Sequence, residues 1–550
     1  MPVVPSIVLT DRLRVHRRAS SPSGHARWDA SPDPVRRVLE TLSGLSSEWR
    51  DVLLYGCSAL FAGITGLVVS IPLYRQWGQM AVGPYVVASV LMAFVAWRVA
   101  GRPRVARQRS SGIPPDSLVA STTAVAVPAR PTVPALPVAR PRTQAMGRGW
   151  KAARGIAFLI VLFGATVVPL TMEVIWRSEG NAALHVQPEV VVVERAGVRV
   201  AEGKNPYQLI DRNGHILIHP TAEPTYELYY PYLPGMVAFG YSSGSKVEAR
   251  LTDARIQFLV FTALIALLAL SRLRPRTDAR IRAFQVITAL PTAALPLATG
   301  GDDMPVVALM LLGLVALQRR KPLLAGLAFG AASSLKFTAW PLVILALWAA
   351  YDLKVHRAIG RYLLGVVAVV GPVVVPVAVR NPSAFVDNVI RFPLGLAGVH
   401  SPAASALPGH ILVSIVPQAH QAYVVIAGVV GGVALVRHVV KRPPKSAAAA
   451  ASLTGWVMLV AILLAPATRV GYLLYPINLF VWAWMLRRAA DPAEPDAAGH
   501  LPTATEPTTV TSPTSWTGVD QLASLSWNSW RENEVLPAEV VGDTTAPTSQ

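Results

Sequence analysis

The stretch Arg361-Tyr-Leu-Leu-Gly-Val-Val-Ala-Val-Val-Gly-Pro-Val-Val-Val-Pro-Val-Ala-Val-Arg380 carries no charge between its two terminal arginines. As a helix its interior would run about 27 Å, close to the roughly 30 Å hydrocarbon thickness of a bilayer. Its glycines and prolines do not count against a helix, because membrane helices tolerate both. Outward from this span near 362–380, similar runs fall near 52–71, 81–99, 153–172, 255–271, 283–299, 304–318, 419–437, 447–466 and 470–486. Residues 322–351 are long enough for two short spans or a re-entrant hairpin, broken around Lys336. The pattern predicts an all-α, polytopic helical membrane protein of the plasma membrane, with ten to twelve transmembrane helices.

Composition agrees. The chain has 550 residues, of which 52% are hydrophobic and 15% charged, with a mean hydropathy of +0.43. A soluble domain carries roughly 25% charge. The net charge of +19 would ordinarily raise nucleic acid as a partner. Its distribution argues for a bilayer instead. Residues 101–151 hold nine basic residues and one acidic, and 272–282 hold five and one. Arg319-Arg320-Lys321, Lys354/Arg357/Arg361, Arg437/Lys441/Arg442/Lys445 and Arg487-Arg488 continue the alternating basic set. The other set is led by 172–254, with ten acidic and seven basic residues. By the positive-inside rule both termini are expected in the cytoplasm and the large loop 172–254 outside. The partner expected from charge is therefore the lipid bilayer and not nucleic acid.

The expected organisation is a cytoplasmic segment 1–50, a two-span hairpin 51–100 and a disordered basic linker 101–150. A membrane domain follows at 151–488, and the acidic tail 489–550 reads as disordered, with a short interfacial helix at Trp516–Trp530 as the alternative. The single cysteine, Cys57, excludes an internal disulfide framework and a multi-cysteine metal site. His185, His215, His219, His400 and His410 lack the spacing of a zinc site and stay unassigned. No strand followed by a Gly-rich turn and helix marks a nucleotide-binding domain.

Loop 172–254 is too polar to span and carries clustered tyrosines, Tyr207, Tyr226, Tyr229, Tyr230 and Tyr232, with turn signals at Gly203–Pro206 and Asn213-Gly214. These tyrosines suit an aromatic belt at the headgroups or a platform for sugar faces. Within the loop, Glu189-Val-Val-Val-Val-Glu-Arg-Ala-Gly-Val-Arg-Val-Ala-Glu-Gly-Lys-Asn-Pro-Tyr207 resembles the first external loop of the polyprenol-phosphate-mannose-dependent α-mannosyltransferases of actinobacterial type. These belong to the C-type glycosyltransferase superfamily. That pattern is an acidic residue, an amphipathic helix and Gly-x-x-Pro-Tyr. Tyr230-Pro-Tyr-Leu-Pro234, Gly301-Asp-Asp-Met-Pro305, Ala325-Gly-Leu-Ala-Phe-Gly330 up to Lys336-Phe-Thr-Ala-Trp-Pro341, and Arg469-Val-Gly-Tyr-Leu-Leu-Tyr-Pro476 follow in order. The resemblance covers about 153–486. Glutamate at 189 replaces the usual aspartate, and hairpin 51–100 and the linker have no counterpart in the common form of the family.

The resemblance implies transfer of a hexose, mannose first, from a polyprenyl-phosphate sugar to a glycolipid or glycan of the cell envelope, with inversion. Glu189 is the expected base, with Glu173 as the rival at the membrane edge; such a base contributes typically 10²–10⁴-fold. Lys336 and Arg469 are the expected cations for the donor phosphate. Tyr207, Tyr230, Asp302, Asp303 and Tyr472 are the candidates for sugar or acceptor contacts. No cofactor is expected beyond the lipid-phosphate sugar itself, with a divalent metal at the aspartates as an option and no metal ligand assigned. A secondary transporter or flippase for a lipid-linked glycan is the alternative reading, because charged residues at broken helices mark transporter sites as well. A non-catalytic envelope scaffold is the third.

Overall fold

The computed structural model describes residues 46–100, 143–180, 184–207, 225–244, 249–273, 277–397, 399 and 403–490. The chain divides into two units, Met1–Pro492 and Ala493–Gln550, and every described residue lies in the first. The tail with Trp516–Trp530, the turn Asn213-Gly214 and His215, His219 and His400 fall outside the described residues. Among the described residues there is no strand; Ala404 and Thr468 form an isolated bridge.

The protein is an all-α polytopic membrane protein. Helices Ser47–Val68 (α1) and Pro72–Ala100 (α2) form the N-terminal hairpin. Thr143–Val161 (α3) runs through a wider π-helical segment, Leu162–Val167, into Val168–Glu179 (α4). The loop helix Pro188–Ala201 (α5) follows, then Ala254–Ser271 (α6), Thr277–Thr288 (α7) and Pro291–Thr299 (α8). Asp303–Gln318 (α9), Pro322–Leu335 (α10), Trp340–Tyr351 (α11) and Ala358–Arg380 (α12) come next. His420–Lys441 (α13), Ala447–Leu464 (α14) and Leu474–Ala490 (α15) complete the described helices of that length. Among the described residues, eight helical stretches are long and apolar enough to cross a membrane, against the ten to twelve expected, and α9, α10 and the stretch Phe337–Tyr351 are shorter apolar helices. The run expected at 470–486 falls on the 17-residue α15.

Two boundaries differ from the sequence expectation. The helix after the basic linker begins at Thr143, inside the segment read as linker, and continues to Glu179 where 172 was expected. Glu173 therefore lies within a helix, about two turns before its end. The helix carries charge this far because Glu173 and Arg177 find partners there: His185 for the first, Glu194 and Asp253 for the second. A paired charge escapes most of the cost of burial.

Helix α9 sits at the centre, with every residue from Asp303 to Leu317 buried. Its sequence is apolar on all sides, and such a helix buries all sides. Next to it, α10 and α12 cross closely: a Cβ on Gly326 would stand 2.1 Å from the Tyr362 carbonyl oxygen. Small residues at such crossings let helices associate where lipid removes the hydrophobic drive.

The hairpin is joined to the bundle by polar bonds as well as apolar packing. In the π segment the Ala165 carbonyl accepts from Trp77 Nε1 at 2.9 Å. Tyr85 donates to the Ala289 carbonyl at 2.6 Å, and Gln285 donates to the Tyr55 hydroxyl at 2.7 Å. Buried Asp51 takes Arg154 at 2.6 Å and Arg282 at 2.7 Å. That ion cluster lies at the end of the bundle opposite the loop helix α5.

Candidate active site

The site is assembled where helices stop. Gly301, at φ +80°, turns the chain from α8 into α9, a conformation that costs a non-glycine residue about 1–2 kcal/mol. The turn sets Asp302 and Asp303 at the N-terminus of α9, where carboxylates are favoured by the helix dipole. Helix α10 ends at Lys336, which is extended at φ −150°, ψ 144°. The break expected around Lys336 falls at that residue, and it frees the side chain to reach across to α9. Lys336 Nζ lies 2.7 Å from Asp302 Oδ2 and 2.5 Å from Asp303 Oδ1. Asp303 Oδ1 also accepts from the Tyr475 hydroxyl at 2.6 Å, which in turn accepts from Thr338 at 2.6 Å. The rings of Tyr232 and Tyr472 stand 5.2 and 5.6 Å from Lys336 Nζ, within cation–π range.

A second pair lies alongside. Glu189 occupies the first turn of α5, after Pro188, and its Oε1 is 2.5 Å from Arg469 Nη1. Its other oxygen, Oε2, is buried and has no hydrogen-bond partner. The Glu189 side chain as a whole keeps 20% of its exposure. Burial opposes the charge on Arg469, but the Glu189 carboxylate outweighs it and holds the guanidinium above its ordinary value. Tyr232 and Tyr472 lie within electrostatic reach of both pairs, and burial pushes the Tyr472 phenol up to about 12. The two ion pairs and two rings therefore form one polar region at one end of the bundle.

Of the remaining expected site residues, Tyr207 and Tyr230 adjoin this region through Tyr232, whose ring lies 5.3 Å from that of Tyr230, whereas Glu173 lies apart. Tyr207 and Tyr230 are buried at 0% and 2% exposure and pack on each other with centroids 5.7 Å apart. They anchor the loop from inside: Tyr207 donates to the Tyr232 carbonyl, and the Tyr230 amide donates to Asn388. The Tyr230 hydroxyl is buried without a hydrogen-bond partner. Glu173 is fully buried, with Oε2 2.9 Å from His185 Nδ1. It adjoins a different network, in which Arg177 binds Glu194 and Asp253, and Asp253 binds Arg255. A cleft of about 190 Å³ lined by Arg177, Glu194, Arg250 and Asp253 opens beside that network and not beside Glu189.

Sequence reasoning left three partners of the site unassigned: Tyr475, Thr338 and Tyr232. All three stand inside the motifs quoted above, so position within those motifs was an available signal. For a metal, the described residues offer no group of three or more His, Cys, Asp or Glu side chains close enough to hold an ion. The aspartate pair alone spends an oxygen from each residue on Lys336.

The fold and this region define a class: a polytopic helical membrane protein with a buried-to-exposed carboxylate and cation site at one end of its bundle. Residues 249–466 match the model of glycosyltransferase family 87, which supports a membrane glycosyltransferase. The matched segment includes Asp302, Asp303 and Lys336; Glu189 lies before it and Arg469 just after it. No curated protein and no solved structure matches the chain.

Proposed function

We propose that the protein transfers a hexose, mannose in the first instance, from a polyprenyl-phosphate sugar to an envelope glycolipid or glycan. In this reading loop 172–254 faces outward, both termini face the cytoplasm, and the reaction takes place at the outer leaflet of the plasma membrane. The acceptor hydroxyl gives its proton to Glu189 Oε2. Its oxygen bonds to the anomeric carbon while the bond from that carbon to the phosphate oxygen breaks. The electron pair leaves with polyprenyl phosphate, and the configuration inverts.

The observation that carries the reading is the divided state of the Glu189 carboxylate. One oxygen is fixed by Arg469 and the other is a buried acceptor with nothing bound to it. A carboxylate that served only as structural glue would be expected to have both oxygens satisfied. Glu173 also has one oxygen without a hydrogen-bond partner, but its side chain is fully enclosed. Arg469 adds a coupling. When Glu189 takes the proton, its negative charge vanishes and Arg469 is left with an unbalanced charge as the leaving phosphate passes from monoanionic diester to dianionic monoester. Lys336 supplies the second cation, positioned by Asp302 and Asp303 beneath Tyr232 and Tyr472.

Purified protein in nanodiscs, given polyprenyl-phosphomannose and a glycolipid fraction, tests this directly. Labelled mannose is expected in the glycolipid, with Glu189→Gln lowering the rate by about 10²–10⁴-fold. Movement of lipid-linked glycan across the bilayer without transfer would favour the flippase reading. Wild-type rates in Glu189→Gln would remove that residue from the chemistry.

A further inference from the structure

The N-terminal hairpin reaches the same region with one side chain. Tyr74, near the start of α2, accepts a hydrogen bond at 2.8 Å from Gln187 Nε2. Gln187 is the residue on which α5 begins, two positions before Glu189. Its amide nitrogen also donates to Thr299 Oγ1 at 2.9 Å, and its backbone N–H donates to the Thr299 carbonyl at 3.1 Å. The side chain lies flat on Gly300, where a Cβ would come within 2.1 Å of Gln187 Oε1. Four restraints thus fix the first turn of α5, and only the one to Tyr74 comes from outside the segment that resembles the transferases. Tyr74 also lies within electrostatic reach of both Glu189 and Arg469.

From this geometry we infer that the N-terminal hairpin contributes one residue to the catalytic apparatus, Tyr74, a positioning residue that sets Glu189 against Arg469 through Gln187. The inference rests on Glu189 being the base. The physical reason is lever length. Glu189 stands two residues past the Gln187 cap, separated from it only by the rigid Pro188, so a rotation of that cap displaces the carboxylate from the acceptor hydroxyl, and misplacement of about 1 Å can cost 10²-fold in rate.

Three variants and one cross-link test it. Tyr74→Phe keeps the ring and removes the acceptor; kcat is expected to fall about tenfold with KM for the lipid donor unchanged. Gln187→Ala, which also removes the bond to Thr299 Oγ1, should cost at least as much, and the double variant no more than Gln187→Ala alone, because the Tyr74 link is already gone. Tyr85→Phe breaks a hairpin bond to the Ala289 carbonyl, remote from Glu189, and should leave kcat as it is. A wild-type kcat in Tyr74→Phe overturns the inference, and so does an equal loss in Tyr85→Phe, which would make the hairpin a mere brace. The placement itself is read without any turnover. With Cys57→Ser, the pair Tyr74→Cys and Gln187→Cys should be joined by a short bifunctional thiol reagent in the folded protein. A failure to join them refutes the juxtaposition, whereas joining in a protein that transfers no sugar refutes the proposed reaction alone.

Discussion

Helix α5 carries two glutamates in opposite electrostatic situations. Glu194 has both oxygens occupied: Oε1 accepts from Arg177 and from the Ala254 amide, and Oε2 accepts from Arg177. Asp253, which shares Arg177 with it, is equally saturated by that guanidinium and by the amide and guanidinium of Arg255. Glu189, in the first turn of the same helix, pairs with Arg469 through one oxygen, and its second oxygen has no hydrogen-bond partner. The same residue type is thus used twice on one element. At Glu194 the protein closes every hydrogen-bonding valence and gains a rigid junction between α4, α5 and α6. At Glu189 it leaves one buried oxygen without a hydrogen-bond partner, which is where the proposed reaction would deposit a proton.

The sharpest way to break this contrast is to exchange charge for amide at each position. Glu189→Gln should lose transfer by the factor given above while its melting temperature in detergent stays near wild type. A large fall in stability there would place Glu189 with the structural carboxylates. Lys336→Met comes next. It leaves Asp302 and Asp303 buried side by side without their cation, and breaking a buried pair this way costs about 3–5 kcal/mol. Poor folding is expected, with recovery of folding but not of transfer when Asp302→Asn and Asp303→Asn are added; recovered transfer would exclude Lys336 from phosphate binding. Glu194→Gln should do the reverse of Glu189→Gln. A loss of about 2 kcal/mol in stability is expected, with an unchanged rate per folded molecule, and a rate loss without instability would contradict the structural role.

The smallest expected effect is on pH. Burial works against the charge on Asp253, but the guanidiniums of Arg255 and Arg177 more than offset it and hold its carboxyl below the usual carboxylate range. A group depressed in the folded state contributes stability above its unfolded value of about 4, and that contribution disappears as pH falls through the folded value. Melting curves should therefore steepen in their decline below about pH 4, and Asp253→Asn should flatten that limb. An identical acid limb in the variant would show that other carboxylates govern it.

How much of this was written in the sequence depends on range. The apolar runs state the helices, and the break at Lys336 and the acidic step at Asp302-Asp303 are visible as charges interrupting those runs. Partnership between them is not visible. Lys336 and Asp302 meet across a fold of the chain, and Tyr74 meets Gln187 across 113 residues; packing decides such pairs, and no local period encodes them. The end of α4 was misplaced for a related reason. Glu173 and Arg177 look like the start of a polar loop until His185, Glu194 and Asp253 arrive from later in the chain to neutralise them. The tyrosines show the same limit: residue type points to aromatic faces for headgroups or sugars, and the burial of Tyr207 and Tyr230 within the loop is visible only in the structure.

The brevity of the central helix has a consequence for depth. Helix α9 has 16 residues, about 24 Å at 1.5 Å per residue, against roughly 30 Å of hydrocarbon. Were Arg319, Arg320 and Lys321 held at one headgroup plane, its acidic end would fall several ångströms short of the other. Asp302, Asp303 and Lys336 would then occupy a dip in the membrane surface. A lipid-borne phosphate would reach them by sinking from its own leaflet, without leaving the bilayer for water.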